Sequence, residues 1–100
     1  MKYARNLQFL IQPGKDAEFA RLMKTEVLPI LKRHKGFQSE VALVNDERAI
    51  GISFWDDRAS AESYAATGYA DVVQKLTPVM NGQPKVESFT IASTTLSHTA

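Results

Sequence analysis

The sequence predicts an α+β chain in the order β-α-β-β-α-β, with one antiparallel sheet and both helices on a single face. Three observations carry this prediction. Four stretches alternate with period two, two stretches repeat apolar residues at steps of three and four, and turn or helix-stop residues mark the junctions. With 100 residues the chain is expected to form one domain over 1–100, loose from about residue 95 in a Ser- and Thr-rich tail.

In residues 3–12, Tyr3, Arg5, Leu7, Phe9 and Ile11 alternate with Ala4, Asn6, Gln8 and Leu10, the pattern of a strand with two distinct faces. Pro13-Gly14 ends it. Phe19, Leu22, Met23, Val27, Ile30 and Leu31 then line one side of a helix whose other side carries Lys15, Glu18, Arg21, Lys24, Lys32 and Arg33. Pro29 lies inside that pattern and lacks an N–H, which predicts a bend or break over residues 25–28. Gly36 is placed to stop the helix after a cationic last turn.

Phe37, Ser39, Val41 and Leu43 alternate with Gln38, Glu40, Ala42 and Val44 as a second strand. The polar stretch 45–48 is short enough for a hairpin, so the strand over 49–55 is expected to pair antiparallel with it. Its Ile50, Ile52 and Phe54 face away from Gly51, Ser53 and Trp55, the only tryptophan. Asp56 and Asp57 are candidate caps for a helix over 57–76, with Ser60 a second choice, and Thr67-Gly68 is expected to divide it. Ala61, Ala65, Tyr69, Val72, Val73 and Leu76 form its inward stripe. After an irregular stretch around Pro78, Asn81-Gly82 and Pro84, a last strand is expected over 85–94. This order is the ferredoxin-like split βαβ arrangement, which leaves one sheet face uncovered. Apolar residues on both strand faces predict that a second copy covers it, as a symmetric homodimer.

Composition narrows the function. The formal net charge is +1, with cations and anions interspersed, so no basic stripe for nucleic acid is present. The absence of cysteine excludes disulfides, thiolate catalysis and cysteine-ligated metals. The polar amino terminus has no secretory apolar core, and no apolar run approaches the ~18 residues of a membrane span, so a cytoplasmic location is expected. Neither a His and carboxylate cluster with metal spacing nor a phosphate-cradling glycine loop is recognisable.

The segments Pro13-Gly-Lys-Asp-Ala-Glu-Phe19, Val27-Leu-Pro29, Lys35-Gly-Phe37, Ile50-Gly-Ile-Ser-Phe-Trp-Asp56, Ala61-Glu-Ser-Tyr64 and Val86-Glu-Ser-Phe89 together resemble the antibiotic biosynthesis monooxygenase family. The resemblance implies a dimeric α/β barrel with a small pocket between sheet and helices in each subunit. It also implies oxidation of a small planar phenolic, anthrone or quinol compound by molecular oxygen, with no metal, flavin or haem cofactor. The alternative it leaves open is a non-catalytic dimer that binds a small aromatic or apolar ligand, including a stress-associated role. The haem-degrading branch resembles this chain less. Tyr64 stands where that branch has a helical Trp and Gln74 where it has the haem-ligating His, so the axial nitrogen is missing.

The candidate pocket residues are Asn6, Trp55, Tyr64, Tyr69 and Arg5. Trp55 either stacks on a planar ligand or plugs the corner between sheet and helix. Tyr64 and Tyr69 offer phenolic donors, Tyr69 also fitting the core. Arg5 and Asn6 occupy opposite faces of the first strand, so only one of them points toward the helices. Arg5 suits stabilisation of a phenolate, Asn6 an oxygen contact, and either suits an interface hydrogen bond. His34 falls where it favours the carbonyl end of the first helix, and His98 has no assigned role.

Overall fold

The computed structural model describes residues 2–96; His98 and the end of the expected tail lie outside them. Four strands form the sheet: β1 (Tyr3–Leu10), β2 (Phe37–Val44), β3 (Arg48–Trp55) and β4 (Lys85–Thr90). Their spatial order is β2-β3-β1-β4 and every neighbouring pair is antiparallel, the ferredoxin-like arrangement. The last strand is shorter than expected, ending at Thr90, although Ile91 still donates to the Lys2 carbonyl at 3.0 Å.

The first helical region is continuous but not uniform. It runs as α1 (Asp16–Leu22), a π-helical segment (Met23–Val27) and α2 (Leu28–Lys32). The irregularity anticipated from Pro29 is this wide turn, in which Leu28 N–H reaches back five residues to the Met23 carbonyl. Pro29 then falls in the first turn of α2, where a missing N–H costs little. Phe19, Leu22, Met23, Val27, Ile30 and Leu31 are all buried, so the apolar stripe survives the change of pitch.

Gly36 closes this region at φ 89°, and a Cβ there would lie 2.2 Å from Ser60 Oγ. Both the left-handed backbone and the close approach demand glycine. Its carbonyl accepts from Asp56 N–H at 2.8 Å, which ties the end of the first crossover to the corner after β3. There Asp57 caps α3 (Arg58–Thr67) by accepting from Ser60 N–H at 2.8 Å. Ser60 is therefore the donor to the cap and not a second cap. Asp56 instead accepts from Gln38 Nε2. Gly68 separates α3 from α4 (Tyr69–Leu76), as expected.

Strand register assigns the faces. Tyr3, Arg5, Leu7 and Phe9 pair with Trp55, Ser53, Gly51 and Ala49 on the helix-covered side. Ala4, Asn6, Gln8 and Leu10 share the open side with Phe54, Ile52 and Ile50. One departure from strict alternation occurs in β2, where the pairing slips between Phe37 and Ser39. Phe37 pairs with Trp55 and Glu40 with Ser53, so both point toward the helices although they are three positions apart. The extra residue is Gln38, whose amide goes to Asp56. The core between sheet and helices also takes in Val79 and Met80, which the reading of 78–84 as irregular did not anticipate.

Candidate functional site

Between the covered face and the helices lies a cavity of about 30 Å³, measured as the space open to the centre of a water-sized sphere. Arg5, Glu40 and Ser53 enter it from the sheet, Tyr64 from α3 and Tyr69 from α4. Met23, Val27, Leu31, Val72 and Leu76 supply apolar walls. Such a space admits a molecule the size of water or dioxygen, whereas a cavity that takes a benzene ring is nearer ~150 Å³. An aromatic ligand therefore enters only with displacement of the half-buried side chains, among them Arg5 and Tyr69. A wider depression of about 480 Å³ beside Gln8, Arg48 and residues 81–87 is lined largely by polar side chains and lacks these aromatics.

The positions follow from register. Glu40, Ser53, Arg5 and Ser88 form one row across all four strands. Arg5 Cζ lies 5.2 Å from the centre of the Tyr69 ring and 5.6 Å from that of Tyr64, so the guanidinium is held against two phenol faces. Burial pushes the Tyr64 hydroxyl well above its ordinary pKa; Arg5 pulls it back in part and Tyr69 adds to the rise. Burial also raises Tyr69, again opposed by Arg5. Both phenols are consequently neutral donors near pH 7. Burial raises the Glu40 carboxyl too, and its Oε2 is enclosed with no hydrogen-bond partner among the described residues.

Trp55 stands one layer behind. It is 0% exposed and its ring stacks on Tyr64 at 4.9 Å between centres, with Phe37 against its other edge at 5.6 Å. Its indole N–H is taken by Ser53 Oγ at 2.9 Å. The tryptophan thus plugs the corner and fixes both Tyr64 and Ser53, without lining the cavity itself. His34 meets the other side of Tyr64 edge-on at 5.2 Å. It fits there because Gly68 has no Cβ, which would lie 2.4 Å from His34 Nε2.

Of the five residues anticipated, Arg5, Tyr64 and Tyr69 converge and Trp55 supports them. Asn6 does not join them. Its place on β1 turns it to the open face, where its Oδ1 is enclosed without a hydrogen-bond partner among the described residues. Tyr64 is deeper than its absence from the inward stripe suggested, at 3% exposure. Glu40 was missed because strict alternation sets it opposite Phe37; the one available signal was a carboxylate on a strand otherwise rich in apolar residues. Among the described residues no cluster of three metal-ligating side chains occurs, and no helix is long and apolar enough to cross a membrane.

No family model matches the sequence, and no curated protein matches it. Solved structures do. The chain is similar to NE2512, a protein of unknown function from Nitrosomonas europaea, with TM-score 0.76 and 17% identity over 96% of this chain and 94% of that one. It is similar to SnoaB, a cofactor-independent oxygenase from Streptomyces nogalater, with TM-score 0.74 and 18% identity over 96% and 98% of the two chains. A monooxygenase from the gene ActVA-Orf6 of Streptomyces coelicolor, solved with the ligand nanaomycin D, gives 0.76 and 17% over 95% and 91%. Proteins named as antibiotic biosynthesis monooxygenases are also among the neighbours. At these identities the likeness establishes a shared fold, in agreement with the resemblance carried by the sequence motifs.

Proposed function

We propose that the protein is a monooxygenase that oxidises a small planar phenolic, anthrone or quinol compound with dioxygen, the substrate itself supplying the electrons. The observation that carries this reading is a cation held against two neutral phenols in a cavity whose walls, Glu40 and Ser53 apart, are otherwise apolar. Such a site favours an aromatic ring whose hydroxyl ionises, because Arg5 offsets the developing oxyanion where little water competes. Tyr64 and Tyr69 donate hydrogen bonds to substrate oxygen, and the apolar walls hold the ring in the orientation the reaction needs. The fold neighbours named as oxygenases lend support by analogy.

For a phenol with a free para position, the overall change is phenol plus O2 to para-quinone plus water. One oxygen atom enters the ring and the other leaves as water with two hydrogens of the substrate. This balance calls on no separate reductant.

The uncovered sheet face supports a homodimer as part of the same proposal, since Leu43 and Phe89 stand there about half exposed, at 49% and 50%. Light scattering at micromolar concentration is expected to give twice the chain mass, and a monomer there overturns the barrel. The activity is tested by oxygen uptake with a panel of anthrones, hydroquinones and flavonols, using protein treated with chelator, alongside Trp55→Phe and Tyr64→Phe. Uptake above the spontaneous rate that falls in either variant is the expected result. A folded dimer inert toward the whole panel overturns the enzyme reading in favour of a small-ligand-binding protein.

A further inference from the structure

We propose that Glu40 is the proton acceptor of this cavity, taking the hydroxyl proton of a bound phenol whose oxygen Arg5 holds from the other side. The assignment rests on the phenol-oxidation reading for its chemistry, but its geometry is independent of turnover. Arg5 and Glu40 flank Ser53 on a single cross-strand row. Their Cα atoms are therefore about two strand spacings, roughly 10 Å, apart. Both side chains are long enough to reach inward toward one oxygen atom between them. A phenol satisfies both at once, donating its O–H to the carboxylate and accepting from the guanidinium.

Three features mark Glu40 out from the other acidic residues. It is on the helix-covered side only because of the bulge at Gln38. Its Oε2 is enclosed and has no hydrogen-bond partner among the described residues, so a buried acceptor awaits a donor. Its pKa is raised by loss of solvent, which brings a carboxylate closer in proton affinity to the group it must deprotonate. The charged and titratable groups that line the cavity with it are Arg5 from β1, Tyr64 from α3 and Tyr69 from α4, none of which offsets the burial that raises it; the π-helical segment and α2 contribute Met23, Val27 and Leu31.

The proton balance closes on this residue. The carboxylate takes the phenolic proton and the O–H electron pair stays on the substrate. Ring electrons pass to dioxygen one at a time, and a C–O bond forms at the para carbon. Neutral Glu40 returns its proton to the peroxide oxygen and then accepts the para C–H proton as the O–O bond breaks. The departing hydroxide takes that proton as water, leaving the quinone and an ionised Glu40.

The test uses the full chain with 4-cyanophenol, whose para position is blocked, and its methyl ether as a control. The carboxyl ¹³C resonance of Glu40, assigned by its loss in Glu40→Gln, is titrated with and without each compound. Binding of the phenol is expected to lower the Glu40 midpoint by about half a pH unit or more, because a donor favours the charged form, while the ether leaves it unmoved. No shift with the phenol, or an equal shift with the ether, overturns the assignment whether or not the protein turns over any substrate. With an oxidised substrate in hand, Glu40→Gln is expected to lower kcat about a hundredfold, to abolish the acidic limb of the pH–rate profile and to leave KM little changed. A variant that retains the wild-type limb overturns the role even if its rate falls.

Discussion

The two faces of this sheet are built by the same strands under the same alternation, yet they invert the usual placement of side chains. The helix-covered face buries Ser53 and Trp55 and half-buries Arg5 and Glu40, whereas the open face leaves Leu10, Leu43 and Phe89 exposed. A buried polar group and an exposed apolar one are each more informative than the reverse. The first needs a partner to offset lost hydration, and Arg5 finds only aromatic faces while one Glu40 oxygen finds nothing among the described residues. The second needs cover. The comparison therefore separates a face that holds a small cavity lined by polar groups from a face that leaves large apolar side chains in solvent.

The largest expected effect breaks the covered face. Trp55→Ala removes the fully buried indole behind Tyr64 and the donor to Ser53, at a cost of about 3–5 kcal/mol. For a domain this small that lowers the melting temperature by on the order of 20 °C, and a melt within a few degrees of wild type would show that the corner is not the keystone of the core. On the open face Phe89→Asp is expected to act differently. It should raise the dimer dissociation constant tenfold or more, about 1.4 kcal/mol, while the monomer keeps its stability to within about 0.5 kcal/mol. Sedimentation and denaturant titration measure the two quantities, and global unfolding of the variant would erase the distinction between the faces. Val41→Asp, at a half-buried position on the same face, should weaken dimerisation in the same direction.

Glu40 sharpens the comparison through pH. Its folded pKa lies above the unfolded one, so burial of the neutral carboxyl costs least below about pH 4, and stability from this group is lost as pH rises through the folded value. Glu40→Gln removes that loss. The difference in melting temperature between variant and wild type should move in favour of the variant as pH climbs from acid to neutral, and a constant difference would mean that Glu40 is solvated. On the covered face the smallest expected change in stability is that of Tyr64→Phe, which keeps the stack on Trp55 and should cost less than about 1 kcal/mol.

Much of the fold was legible because its determinants are local. Pro29 disturbed the helix where its missing N–H predicted, Gly36 supplied the left-handed stop, and Asp57 capped the helix after Trp55. The candidate site was legible in part. Arg5, Tyr64 and Tyr69 are residue types that suit an aromatic ligand, and opposite faces of β1 already allowed only one of Arg5 and Asn6 to point inward.

The sequence by itself determined the order of elements, the alternation of β1 and β3 and the residues that stop and cap the helices, since each depends on residues a few positions apart. Only the tertiary structure decided that Gln38 is the extra residue of a bulge, that Glu40 joins Arg5 and Ser53, and that Trp55 is hidden behind Tyr64. These are matters of register and packing between distant segments. A shift of one residue in pairing turns a side chain from one face to the other, and the hydrogen bonds that set that pairing belong to the neighbouring strand.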